Sequence, residues 1–293
     1  MIIEKQQNIK CHFATTEDIG HAISSIAGNV QYGLGSAFPF VWKTFNGGKM
    51  CQRKIINQVS QRYRHYILDS GLFTLMFGSL AGKKDEAYLD KWYEHLTDYI
   101  LHEEYKGAVV EVDCQKVLGV KKAWEYRKAM KKKLPNRIIN VFHIEDGQKG
   151  LDRLIEYSDY IALSVPELRI LKKKEYLYTL ASYIKNKKPE MDIHLLGFTE
   201  KTNLDKFKFC TTCDSSSWIS GVRYGLIETS KGKGHIRNLS DKMLESRANK
   251  YLDVRAKYFP NVYMPKNMIH YSTLVFAAEQ SKIIYSRYGG NQN

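Results

Sequence analysis

The sequence contains no apolar run near the roughly 18 residues that would span a bilayer. Its opening stretch, MIIEKQQNIKCHF, is charged and has no apolar core segment. Both absences lead us to expect a soluble, cytoplasmic protein with no membrane partner. Cysteine is sparse, with five residues at 11, 51, 114, 210 and 213, too few and too scattered for a disulfide framework. No cysteine follows Cys213, so the CTTC at 210–213 lacks the second half of a zinc site. If that segment is a strand, its two thiols point to opposite faces, and neither metal nor cofactor is expected. No G-x-G-x-x-G follows the first apolar run, which speaks against an open dinucleotide-binding sheet; GLGSAF at 33–38 is only a superficial glycine match. Internal repeats, low-complexity tracts and interdomain linkers are also missing. Acidic side chains are outnumbered, 31 against 45 Lys and Arg, leaving a net charge of +14. That surplus favours a polyanionic partner, most simply nucleic acid. The clusters KKK at 131–133, KKK at 172–174 and KGKGHIR at 231–237 are candidates for phosphate contact, although each also fits a solvated face.

What is present is a succession of short apolar runs spaced widely enough for helices. They are IKCHFA (9–14), VQYGLGSA (30–37), HYILD (65–69), AVVEVD (108–113), IINVFH (138–143), YIALS (160–164), IHLLGF (193–198) and FCTTCD (209–214). Their β-branched and aromatic content and polar boundaries suit buried parallel strands. Between them, EAYLDKWYEHLTDYILHEE (86–104) and VKKAWEYRKAMKKK (120–133) have helical character, the second stopped by Pro135. Eight strands alternating with helices predict an α/β fold, a (β/α)8 TIM barrel. The chain is expected to be a single domain, 1–293, with the barrel over about residues 8–260 and a helical C-terminal extension over about 261–293. The basic stretch 241–259 and a helix near 270–286 would complete it.

In such a barrel the C-terminal strand ends form the active face. Here they are Asp69, Asp113, His143, Ser164, Gly197 and Asp214. A lone aspartate there is commonly an N-cap for the next helix. Three converging on one mouth carry a desolvation cost that invites a chemical reason. Paired carboxylates suit glycosyl transfer or hydrolysis, one attacking the anomeric carbon and the other moving a proton. With the basic surface, the sugar would belong to a nucleotide.

At this point several segments, taken in order over roughly residues 60–220, resemble the queuine/archaeosine-type tRNA-guanine transglycosylases and their DNA-modifying relatives. LDSGLF is similar to the family's D-S-G-G-F segment, VEVD to the strand whose aspartate reads the base, IALSVPE to G-G-L-x-x-G-E, and HLLGFTEKTNL to H-x-[LM]-G-[VIF] and its loop. TTCDSSSW resembles the strand carrying the nucleophile and is closest to the short phage-type, DNA-modifying members. The resemblance implies exchange of guanine in a polynucleotide, DNA ahead of tRNA, for a 7-deazaguanine base. It makes Asp214 the nucleophile and Asp69 the general acid/base. Asp113 would read the base edge, Ser70 and Gly71 would line the pocket, and Gly197 would let the backbone approach the base. Ser215 and Ser70 are the expected donors to the nucleophile. Departures are His143, expected to bind the substrate where the family has a glutamine, Ile161 and Ala162 for paired glycines, and Pro166 for a later glycine. The family's C-terminal zinc subdomain has no counterpart. The same chemistry on tRNA, a hydrolytic nucleosidase and a non-catalytic nucleic-acid-binding paralogue are the rival readings.

Overall fold

The computed structural model describes residues 9–15, 31–77, 85–198 and 204–216, the strand pair 226–229 with 232–235, and scattered positions from 238 to 249. The basic stretch beyond these positions, the C-terminal extension and Trp218 lie outside the described residues.

Eight strands close into an all-parallel barrel in chain order. They are β1 Lys10–Thr15, β2 Tyr32–Ser36, β3 His65–Asp69, β4 Ala108–Val110, β5 Ile138–Phe142, β6 Tyr160–Ser164, β7 Asp192–Leu196 and β8 Thr212–Ser215. This is the (β/α)8 architecture read from the sequence. The ring closes where β1 lies on β8, with Cys11 opposite Cys213 and His12 opposite Asp214. β9 Leu226–Thr229 and β10 Gly232–His235 form a separate antiparallel pair.

Period-two alternation sorts the strand residues into two layers. Leu34, Ile67, Ala108, Val110, Ile139, Val141, Tyr160 and Ala162 fill the inside of the barrel as one cluster. Leu68, Val109, Ile138, Phe142, Ile161, Leu163, Ile193 and Leu195 belong to the larger cluster shared with the helices. Ile161 thus packs outward and Ala162 inward, the places that paired glycines would have left open.

The helix Glu86–Glu103 buries Leu89, Trp92, Leu96, Tyr99 and Ile100, an i, i+3, i+7 stripe. Asp85 caps it by accepting from the Tyr88 amide at 2.8 Å. The helix Gln115–Lys133 is broken at Gly119, whose φ is +82°, so its regular part begins where the pattern places it, at Val120. It ends at Lys133, with Leu134 extended before Pro135. Lys131–Lys133 therefore occupy the helix C-terminus, where cations suit the dipole. They sit at the N-terminal ends of the strands, away from the mouth. Lys133 pairs with Asp98 at 2.8 Å and Lys131 donates to the Tyr157 carbonyl at 3.0 Å. Lys172–Lys174 lie instead in the connection after β6, between the helices Val165–Ile170 and Tyr176–Lys187, on the side where the strands end.

Among the described residues an ion pair is buried in the layer between sheet and helices. Arg127 donates through Nε and Nη2 to the Glu111 carboxylate at 2.9–3.0 Å and through Nη2 to the Val141 carbonyl at 2.8 Å. Glu111 also accepts from the Asn140 side chain at 2.6 Å and the Val141 amide at 3.0 Å. Burial pushes the Glu111 carboxyl upward, and the guanidinium works against that shift. The ladder of β4 stops at Val110, short of the expected 113, and this network holds the continuation that carries Asp113.

Candidate active site

Asp69 ends β3 and faces the barrel mouth. Its Oδ1 accepts from the Gly71 amide at 2.7 Å, and its carbonyl accepts from the Ala37 amide at 2.9 Å. Gly71 has φ +76°, and a Cβ there would lie 2.8 Å from the Phe38 backbone. Only glycine fits this turn. The D-S-G order therefore has a local cause: the carboxylate braces the turn that carries Ser70, itself buried. Asp69 also carries an unusual proton affinity. Burial foremost, then the charges of Asp214 and Asp113, raise its carboxyl to about 6 against the opposing Gly71 amide.

Asp214 lies within β8, one residue before its end, and is buried. The donor at its Oδ1 is the Gly197 amide at 2.7 Å, rather than Ser215 or Ser70. Gly197 reaches this position with φ +67°, where a Cβ would press on Pro166 Cγ at 2.8 Å. Gly197 and Pro166, two of the residues singled out in the sequence, thus form one contact behind the carboxylate. His194, fully buried on β7, brings Nε2 to 3.2 Å from the same oxygen, near but out of line for a hydrogen bond. Its Nδ1 is 2.8 Å from Thr212 Oγ1, which also meets the Tyr160 hydroxyl.

Asp113 follows the paired part of β4 and is about a quarter exposed, 28%. His143, immediately after β5 and 4% exposed, approaches Asp113 Oδ1 at 2.7 Å through Nε2 and Glu167 Oε2 at 2.9 Å through Nδ1. Glu167 stands on the helix Val165–Ile170, whose N-cap is Ser164 accepting from the Glu167 amide at 3.4 Å. Ser164 is thus accounted for as a cap.

The mouth accordingly assembles Asp69 from β3, Asp113 from the continuation after β4 and Asp214 from β8, close enough that the charges of the other two bear on Asp69. Ser70 and Gly71 accompany Asp69, Gly197 braces Asp214, and His143 braces Asp113. Sequence reasoning missed His194 and Glu167 as members, although both lie inside segments it had quoted, HLLGF and IALSVPE. Lys116, 3.0 Å from Glu167 Oε1, carried no signal of its own.

Beneath Asp214 the barrel interior is polar. His12, fully buried, places Nδ1 3.1 Å from the Lys10 carbonyl and Nε2 2.7 Å from His65 Nδ1. A carbonyl only accepts, so His12 is protonated at Nδ1 and accepts at Nε2 from the His65 N–H. Burial lowers both rings, His12 well below its ordinary value and His65 to about 4. The folded chain therefore holds both neutral in a range where the unfolded chain takes up protons. Stability should fall as pH drops from about 6.5 toward 4. We expect these rings to pull the urea midpoint down between pH 7 and pH 5, against the opposite pull of Asp69, and His65→Gln to decline less steeply than the wild type. An equally steep decline in the variant would count against this origin.

Among the described residues no group of three His, Cys, Asp or Glu side chains is arranged to hold a metal ion. Cys210 precedes β8 rather than lying in it, and Cys210 and Cys213 are buried free thiols raised above their ordinary range, Cys213 by its contact with Cys11 and by burial. No described helix is long and apolar enough to cross a membrane. No family model matches the chain, and no curated protein matches it either.

Proposed function

We propose that the chain is a guanine transglycosylase that exchanges guanine in a polynucleotide, DNA in preference to tRNA, for a 7-deazaguanine base. The observation that carries the reading is the pairing of two unlike carboxylates at one barrel mouth. Asp69 is raised to about 6, whereas Asp214 is fixed by a backbone amide. Such a pair divides the labour of a two-step displacement with retention.

In the first step an oxygen of Asp214 bonds to C1′ while the bond from C1′ to the base nitrogen breaks. The electron pair leaves with guanine, and the proton of Asp69 goes to the departing base. In the second step the incoming base gives its ring N–H proton to Asp69 and attacks C1′. The aspartyl ester breaks, and Asp214 is a free carboxylate again. One proton is lent and returned, and no water is consumed. A group with a pKa near 6 gives and takes that proton with little penalty at neutral pH. Asp113 receives the donor edge of the base, while Ser70 and Gly71 bound the pocket. The surplus of 14 positive charges supplies phosphate contacts that offset the few kcal/mol needed to flip a nucleotide from a duplex. It also makes binding fall steeply with salt.

The deciding assay offers labelled guanine, with matched DNA and tRNA, to the purified chain. Incorporation into DNA with no free abasic sites is expected. Label entering tRNA alone overturns the choice of DNA, abasic sites without label point to a hydrolase, and no incorporation into either polymer removes the proposal.

A further inference from the structure

We infer that His143 is a charged positioning residue for Asp113: clamped between Asp113 and Glu167, it takes up one side of the Asp113 carboxylate and aims the rest at the paired N–H donors of a guanine-like base. This rests on the transglycosylase reading and replaces a direct contact between His143 and the base.

The geometry fixes the protonation of the ring. Nε2 is 2.7 Å from Asp113 Oδ1 and Nδ1 is 2.9 Å from Glu167 Oε2. Ionised carboxylates only accept, so each nitrogen must carry a hydrogen, and a ring with two N–H groups is an imidazolium. Burial alone would lower the ring; the carboxylates of Asp113 and Glu167 prevail and raise it to about 10. Glu167 is held from behind by Lys116, 3.0 Å from its Oε1, and Lys116 also pairs with Glu145 at 2.5 Å. Charges therefore alternate from Asp113 through His143, Glu167 and Lys116 to Glu145, drawn from the connections after β4, β5 and β6. Asp113 is also within electrostatic reach of Asp69 and Glu111, two negative neighbours that His143 offsets.

Two consequences follow for the base. With both N–H groups committed, His143 has no donor left for a base oxygen. Asp113, anchored through Oδ1 and more exposed than the ring that holds it, presents a fixed acceptor surface. Adjacent N–H donors, the ring N–H and the exocyclic amine of guanine, match it. Hypoxanthine, which lacks only the amine, leaves part of that surface unpaired.

The test compares uptake of labelled guanine and labelled hypoxanthine into DNA by the wild type, His143→Gln and Glu167→Gln, together with nitrogen-15 histidine NMR at neutral pH. We expect the preference for guanine to fall at least about tenfold in both variants, the scale of one charge-assisted hydrogen bond. The doubly protonated His143 signal of the wild type should be lost in Glu167→Gln. Equal losses for both bases, as general structural damage would give, overturn the inference. So does an unchanged preference or a neutral His143 in the wild type. A wild type that takes up neither base removes the transglycosylase reading and the base-facing half of this inference with it; the NMR signal then still decides the clamp.

Discussion

Asp214→Asn is expected to bind the polynucleotide and to exchange base at least about 10⁴-fold more slowly, the scale seen when one member of a cooperating catalytic set is removed. The amide keeps an oxygen to accept from Gly197 N–H, so the fold around β7 and β8 has no reason to change. In the proposed reaction it is no longer an anionic nucleophile, and the ester to C1′ cannot form. Wild-type chain quenched in denaturant with its polynucleotide should carry a covalent adduct that the variant lacks. Exchange at the wild-type rate in Asp214→Asn would dismiss this residue as the nucleophile. Asp69→Asn provides the companion result, since it keeps the Gly71 turn and loses only the mobile proton. A reduction of about 10²–10⁴-fold in base release is expected. The same variant should be more stable than the wild type at neutral pH, for a reason with a definite sign. The folded carboxyl is raised from 3.8 to about 6, so the wild type keeps full stability below pH 4 and loses it as pH rises through 6. Removing the ionisation recovers about 3 kcal/mol above pH 6 and nothing below pH 4.

The largest structural effect is expected at Arg127→Leu. The guanidinium is buried, as is Glu111, and makes three bonds to that carboxylate. Removing it leaves a buried negative charge with only the Asn140 and Val141 donors. The cost is about 3–5 kcal/mol, a large share of the 5–15 kcal/mol that holds a typical domain together. The double variant Glu111→Leu/Arg127→Leu should regain most of this, because an apolar pair of similar volume fills the layer without stranding a charge. Urea unfolding of the four proteins measures it. If Arg127→Leu unfolds at the wild-type midpoint, the pair contributes no net stability. Because Glu111 stands two residues before Asp113, the single variant should also blur base selection before it unfolds the chain.

Much of the barrel could be read directly from local pattern. HYILD and YIALS coincide with β3 and β6 to the residue, because each is a short β-rich run with sharp polar boundaries. AVVEVD was less transparent: its ladder ends at Val110, and Glu111 turns outward to a partner sixteen residues along, on a helix. No local rule pairs a strand carboxylate with that arginine. Asp69 was legible as a strand end, since parity puts His65, Ile67 and Asp69 of β3 on one side, whereas Asp113 lies three residues beyond β4 and Asp214 one residue inside the end of β8. The same parity pointed His65 into the interior, a clue that a search for acids passes over. The clamp around His143 was not legible, for its partners come from the connections after two other strands and meet only through the barrel's register. Ser215 and Ser70 were natural candidates as donors to Asp214 by adjacency, and the glycine amide just past the neighbouring strand that meets its Oδ1 was not, because amides carry no mark in a sequence.

The seam between β1 and β8 has a temporal side. Asp214, the nucleophile of the proposed reaction, sits opposite His12, some two hundred residues earlier in the chain, in the pairing of greatest sequence separation in the ring. Strand pairings so far apart in sequence form slowly. A nascent or truncated chain stopping short of β8 would have most of its described helices but neither Asp214 nor a closed ring, so the proposed site should be completed in one late step when the circle shuts.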